Sequence, residues 1–183
     1  MKQIYEGILT LINWNEKQIK RLKRGKKDAQ ERCYIEFSPQ VYTTIIKICG
    51  NRDIANELLH DSFIDVFTDI HTYNEEYVFI AWVKRIAINN TINYVKRHQN
   101  SERILKLVDV PEVKAYSYSN DNLLDKLLAS LTPENRAVIW LFVVEQYTHS
   151  EIAKLLDKSE SYSKSIVSRS LKSLRKSAEV LTR

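Results

Sequence analysis

The sequence predicts an all-α protein of two small helical domains joined by a linker, and three observations carry that prediction. Glycine and proline contribute three residues each to a chain of 183, far fewer than the turns of a β-rich fold demand. Apolar residues make up 44% of the chain, enough to fill real cores at this length, and they recur at helical spacing. Between residues 99 and 122 that spacing lapses into QNSERILKLVDVPEVKAYSYSNDN, whose proline and serine-rich end read as a linker.

Residues 1–18 form an amphipathic lead-in without a motif, and a helical block follows from residue 19 to residue 98. Within it Asp53, Glu57, Asp61, Asp65 and Asp69 recur every four residues, with no lysine or arginine among them. A four-residue repeat drifts by about 40° per step, so these acids wind around their helix. Leu58, Leu59, Ser62, Phe63, Val66 and Ile70 supply its packing face. The stretch FIAWVKRIAINNTINYVKRH, residues 79–98, reads as one helix with a divided character. Phe79, Trp82, Val83, Ile86 and Ala87 gather on one side of its first half, and a second apolar stripe of Ile88, Ile92 and Val95 lies opposite in its second half. Arg85, Asn89, Asn93 and Lys96 line a polar seam between them.

The second block runs from residue 123 to residue 183. Thr132-Pro133-Glu134 is a helix start, with a capping hydroxyl, proline at the first helical position and an acid in the first turn. Thr148-His149-Ser150-Glu151 has the spacing of a capping box and opens a short helix that turns Ile152, Leu155 and Leu156 inward. After Asp157-Lys158-Ser159 a longer helix begins, with Ile166, Val167, Leu171 and Leu174 spaced for a core face. A short helix, a tight turn and a basic longer helix make a helix-turn-helix. Lys164, Ser165, Ser168, Arg169 and Lys172 fall on its outer side, donors suited to phosphates and base edges of DNA.

Charge follows the same division. The formal net charge is +5, with the bases concentrated after Lys158 and the acids between Asp53 and Asp69, which implies two different partners. Cys33 and Cys49 form no CxxC pair, and His60, His71, His98 and His149 show no metal-ligand spacing, so neither a metal nor any other cofactor is expected. No nucleophile-base pair or glycine-rich phosphate loop appears, which argues against an enzyme. The longest apolar run, Ala137 to Val144, is too short to span a bilayer, and no signal-peptide pattern opens the chain, so a cytoplasmic protein without membrane insertion is expected.

Taken together, IKRLKRGKKDAQERCYIEFSPQVY with Gly25, Ala29 and Tyr42, then ANELLHDSFIDVF, FIAWVKRIAINNTINYVKR and LTPENRAVIWLFVVEQYTHSEIAKLL, in this order and spacing, resemble the extracytoplasmic-function group of the sigma-70 family. These are the promoter-specificity subunits of bacterial RNA polymerase. The resemblance covers residues 19–98, as sigma region 2, and residues 123–178, in sigma region 4. It implies that the acidic helix, through Asp53, Glu57, Asp61, Asp65 and Phe63, binds a coiled coil of the largest subunit of core polymerase, with the polymerase flap a second contact. It also implies that Tyr73, Asn74 and Tyr77 receive a base flipped from the opened strand, and that Asn89, Asn93, Lys96 and Arg97 face the minus ten element.

Further implied partners are promoter DNA, both duplex and single-stranded, and an anti-sigma factor or targeting partner. The alternative weighed against this is a free-standing helix-turn-helix regulator, which needs neither the acidic helix nor the amide seam. Asp157 stands where the family has glycine in the helix-turn-helix turn, Ser163 where an aliphatic core residue is usual, and Ile166 where a base is usual. These departures imply mainly phosphate-type upstream contacts and weak upstream specificity.

Overall fold

The computed structural model describes residues 14–105 and 123–181. Every described element is helical: α1 (Glu16–Lys23), α2 (Lys27–Cys49), α3 (Arg52–Asp69), a 3-10 turn (Ile70–Thr72), α4 (Phe79–Leu105), α5 (Leu123–Ala129), α6 (Pro133–Val143), α7 (His149–Leu156) and α8 (Glu160–Leu181).

Local chemistry sets the boundaries. Asn15 caps α1 through a capping box with Gln18, so the first body begins ahead of residue 19. Gly25 is left-handed (φ 65°) between α1 and α2. Gly50, also left-handed (φ 77°), ends α2, and its N–H donates to the Ile46 carbonyl at 2.8 Å. Pro39 lies inside α2 on its exposed side, where the hydrogen bond it cannot make is left to water. Asn51 caps α3 by accepting from the Ile54 N–H at 3.0 Å. In the second half Thr132 caps α6, and Thr148 with Glu151 closes the expected box on α7. Asp157 adopts the left-handed conformation (φ 53°) that the turn after α7 requires, so a carboxylate residue takes the place of glycine.

Two corrections concern extent and facing. Helix α4 runs on to Leu105, seven residues past His98, so the expected linker begins inside a helix; residues 106–122 of it lie outside the described residues. Leu171, placed on the core face by its spacing, is exposed, whereas Ile166 and Val167 are buried as that spacing predicts. Ser163, fully buried beneath them, meets the His149 ring nitrogen at 3.0 Å, and that ring stacks on Phe142. The hydroxyl is therefore satisfied where an aliphatic side chain was expected.

Helices α2, α3 and α4 pack around Phe37, Val41, Ala55, Phe63, Val66 and Val83. Trp14 stacks on Phe79 with ring centroids 5.3 Å apart and donates to Glu36 at 3.0 Å, which ties the chain ahead of α1 into this core. The second core joins the two bodies. Ile48 of α2 and the Ile88, Ile92 and Val95 stripe of α4 are buried with Leu128, Val138, Trp140 and Ile152 from α5 to α7. Burying side chains of this size contributes about 1.5–3 kcal/mol each. The two helical bodies are not independent beads on a string; α6 lies against α2, and both α6 and α7 touch α4.

Candidate nucleic-acid and partner interfaces

The acidic helix comes first. Asp53, Glu57 and Asp61 are exposed on α3, and Asp65 is half-buried because its carboxylate accepts from the Asn90 side chain at 2.7 Å. Phe63 is not at this surface: it lies in the first core against the rings of Tyr34 and Phe67, so it supports the helix from beneath. Between α3 and α4 runs an open groove of about 390 Å³ whose walls include Glu57, Asp61 and the exposed Ile64 on one side, and Asn93 and Arg97 on the other. An acidic rim around an exposed aliphatic suits a basic partner helix, with charge guiding the encounter and Ile64 supplying apolar contact.

The loop between the 3-10 turn and α4 separates its three expected residues. Tyr73 is buried against Phe79 and Trp82, its hydroxyl donates to the Tyr77 carbonyl, and its pKa is raised chiefly by burial. Tyr77 stands 68% exposed, and Asn74 is exposed too, its side chain joined to Glu76 through 2.9 and 3.0 Å hydrogen bonds. Tyr73 thus braces the loop while Tyr77 and Asn74 present it, an arrangement that offers a free ring for a base to stack on.

Along α4 the seam is open but flanked. Asn93 and Arg97 are exposed, and Asn89 and Lys96 are half-buried. Lys96 is engaged, forming an ion pair with Asp157 in the helix-turn-helix turn and reaching the Leu155 carbonyl at 3.5 Å. Lys96 in turn holds the Asp157 carboxyl below its ordinary range. On α8 Lys164, Ser165, Ser168, Arg169 and Lys172 are all exposed, so the expected donor face exists as one surface. Lys164 pairs with Glu160 at 2.9 Å, one turn back on that face.

Sequence reasoning missed a set of contacts between the two bodies. Glu145, just past α6, lies 2.6 Å from the Lys84 ammonium and accepts from the Thr44 hydroxyl at 2.8 Å and the Trp140 ring N–H at 3.2 Å. Lys47 pairs with the buried Asp125. The second apolar stripe of α4 was the visible signal for this contact, though not for its partners. Among the described residues no group of acids, histidines and cysteines could hold a metal ion, and no helix is long and apolar enough to cross a membrane. Burial pushes the Cys33 thiol up to about 12, which marks it as an inert core residue.

A groove-bearing acidic helix, an amide seam and a helix-turn-helix thus occur together on one all-helical chain. The model for sigma-70 region 2 matches residues 33–101 and that for sigma-70 region 4 matches residues 121–174, together more than half of the chain. The chain belongs to the sigma-70 family, in its extracytoplasmic-function group. It is 23% identical over 177 residues to the ECF RNA polymerase sigma factor SigW of Bacillus subtilis (strain 168), covering 88% of this chain and 95% of that one. To SigX of the same organism it is 28% identical over 160 residues, covering 81% and 82%. The fold is shared with the sigma factor RpoE solved in complex with the anti-sigma factor NepR from Bartonella quintana, at a TM-score of 0.56 and 17% identity, over 82% of this chain and 96% of that one. The family consists of sigma factors, which are not enzymes.

Proposed function

We propose that this chain is the promoter-specificity subunit of a bacterial RNA polymerase: it binds core polymerase, recognises promoter DNA and helps open the minus ten region to initiate transcription. The observation that carries this reading is the presence, in one chain and in order, of sigma-70 regions 2 and 4. A free-standing helix-turn-helix regulator would need only the second.

The residues divide the work by their chemistry. The exposed acids Asp53, Glu57 and Asp61, with Asp65 and Ile64 along the α3–α4 groove, dock a basic coiled coil of the largest polymerase subunit. The flap contacts the second body. Tyr77 stacks on a flipped base and Asn74 hydrogen-bonds it, with Tyr73 holding the loop from within. Asn89 and Asn93 bond bases or phosphates of the opened strand, and Lys96 and Arg97 hold its backbone. The outer face of α8 meets upstream duplex in the major groove, mainly through phosphates. Residues 19–98 with the α1 cap form the region 2 unit, residues 123–183 hold the region 4 unit, and the chain works in the cytoplasm. An anti-sigma factor is a natural partner, as for the solved relative bound to NepR.

Transcription reconstituted from purified core polymerase, this chain and a genomic library tests the reading. The expected result is a set of start sites that appears only when the chain is added. Duplex binding with no chain-dependent start site would instead support the free-standing regulator.

A further inference from the structure

No contact with DNA or polymerase falls to α1 in the sigma-factor reading, yet this helix meets the loop that receives the flipped base. Seven bases lie within residues 17–27. Two of them pair locally, Lys20 with Glu16 and Arg21 with Asp28. Lys23 does not: its ammonium reaches Glu75, 52 residues away in sequence, at 3.1 Å. Glu75 is the second residue of a turn from Asn74 to Tyr77, which the Tyr77 N–H closes by donating to the Asn74 carbonyl at 3.2 Å. Tyr77 ends that turn, so the attitude of its exposed ring follows the turn. Between α1 and the loop runs an open groove of about 360 Å³, with Trp14 and Ile19 on one wall and Tyr77 and Val78 on the other. The first wall is fixed, because Trp14 and Ile19 are buried in the first core.

We propose that Lys23 and Glu75 are positioning residues for the flipped base: their ion pair holds the Asn74–Tyr77 turn to α1 and so fixes the Tyr77 ring where the base stacks. The proposal rests on the sigma-factor reading, which supplies the base. Neither residue has to touch it. The Tyr73 hydroxyl already holds the Tyr77 carbonyl at 2.5 Å, which anchors the end of the turn to the core. Glu75 lies nearer its crest, and Lys23 is what ties that crest to a second element. Without the pair the turn is held at one end only, and its ring has more orientations to lose when a base binds.

Charge supports the same assignment. Glu75 and Glu76 put two carboxylates beside Tyr77, where unpaired acids repel the phosphates of an arriving strand. Lys23 neutralises the first, and the Asn74 side chain engages the second at 2.9 Å. The side chains of Lys23 and Glu75 are 27% and 45% exposed, so their pair contributes little to folding. The same modest energy limits its effect on the base to a few-fold.

Holoenzyme reconstituted from core polymerase and the full chain tests this. The probe is a promoter taken from the chain-dependent start sites, with its minus ten region premelted by mismatches and an abasic site placed in turn at each non-template position there. For the unaltered chain one position should show the loss of affinity that follows removal of a stacked base, on the order of tenfold, and Tyr77→Ala should abolish that loss. At that position Lys23→Glu and Glu75→Lys should each shrink the abasic loss by about threefold, and the two changes together should restore it. Lys23→Met and Glu75→Gln remove the pair without reversing a charge and should act as the single reversals do. Thermal melts of these pair variants should coincide with that of the unaltered chain, because a half-exposed pair contributes little to folding.

An abasic loss as large in Lys23→Met and Glu75→Gln as in the unaltered chain overturns the proposal. So does Lys23→Glu weakening intact and abasic templates by one common factor, with no rescue by Glu75→Lys, since Lys23 would then be a phosphate contact. So does the lack of any position at which Tyr77→Ala removes the abasic loss, because no base would then stack on Tyr77. These results sink the proposal alone, whereas the absence of chain-dependent start sites in reconstituted transcription would sink the sigma-factor reading and the proposal with it.

Discussion

The Arg136 guanidinium of α6 lies directly over Gly50 at the end of α2, so close that a β-carbon on Gly50 would stand 2.3 Å from one of its nitrogens. Gly50 is thus held for two reasons, its left-handed backbone and the side chain packed on it from the other body. Gly50→Ala should cost about 2 kcal/mol or more, since the backbone alone accounts for roughly 1–2. For a chain of this size that lowers the melting temperature by roughly 4–8 °C. Gly25→Ala is the comparison: its φ is similar but nothing lies within 4 Å of the added carbon, so only the backbone cost should appear. Equal melting shifts for the two variants would remove Arg136 from the account.

The acidic surface of α3 should matter to binding and not to folding. Glu57 and Asp61 are exposed, so Glu57→Lys with Asp61→Lys should change stability by no more than about 0.5 kcal/mol. Affinity for core polymerase should fall on the order of tenfold, because charge that guided the partner now repels it. Asp65 is left intact in this test since it accepts from Asn90. Co-purification with core, alongside a thermal melt, separates the two effects.

Strand opening should depend on the seam and the loop. Asn89→Ala with Asn93→Ala, or Tyr77→Ala alone, should reduce permanganate reactivity of the minus ten region more than closed-complex binding. Tyr73→Phe should act differently: it removes the hydroxyl that donates to the Tyr77 carbonyl, loosening the loop without deleting a surface group. A Tyr73→Phe defect as deep as that of Tyr77→Ala would mean that the Tyr73 hydroxyl matters to opening as much as the exposed Tyr77 ring, and that Tyr73 does more than brace the loop.

On α8, Lys164→Ala and Arg169→Ala should weaken binding about equally on all upstream sequences and reduce the slope of log affinity against log salt by about one each. Selection from a randomised minus thirty-five region with purified holoenzyme should return only a weak consensus. A sharp consensus would show that the exposed serines and cations of α8 read base edges and do not merely hold phosphates.

The capping box of α7 gives a pH-dependent prediction. Glu151 accepts from the Thr148 hydroxyl at 2.7 Å and its N–H at 2.8 Å, and these bonds hold its carboxyl below the ordinary value of 4.5. A lowered carboxyl contributes stability that is present above its unfolded range and lost as pH falls through the folded value. Thr148→Ala should therefore cost about 1 kcal/mol near neutrality. Its difference from the unaltered chain should narrow in acid, as denaturant midpoints measured at neutral pH and near pH 3 will show.

The sequence by itself determined whatever depends on near neighbours along the chain. Six glycines and prolines in 183 residues left little but helices; Thr132 and Thr148 set helix starts through side chains that reach no more than a turn away, and Asp157 ends α7 through its own left-handed backbone. Spacing also sorted α8, since the inward Ile166 and Val167 and the outward Lys164 and Arg169 lie on opposite sides of one helix. Leu171 escaped that sorting because a core face needs a neighbour to cover it, and periodicity does not supply one. Phe63 was legible on the packing face of its helix, whereas the burial of Tyr73 was not, because its ring type fits both a core and a binding surface.

Only the tertiary structure decided what the second apolar stripe of α4 is for. Ile88, Ile92 and Val95 are legible as apolar, but the surface that buries them comes from α5 to α7, beyond the linker. Lys84 and Glu145 are 61 residues apart, as are Lys96 and Asp157. Each such pairing depends on where two helices come to lie in space, and local propensity carries no information about that.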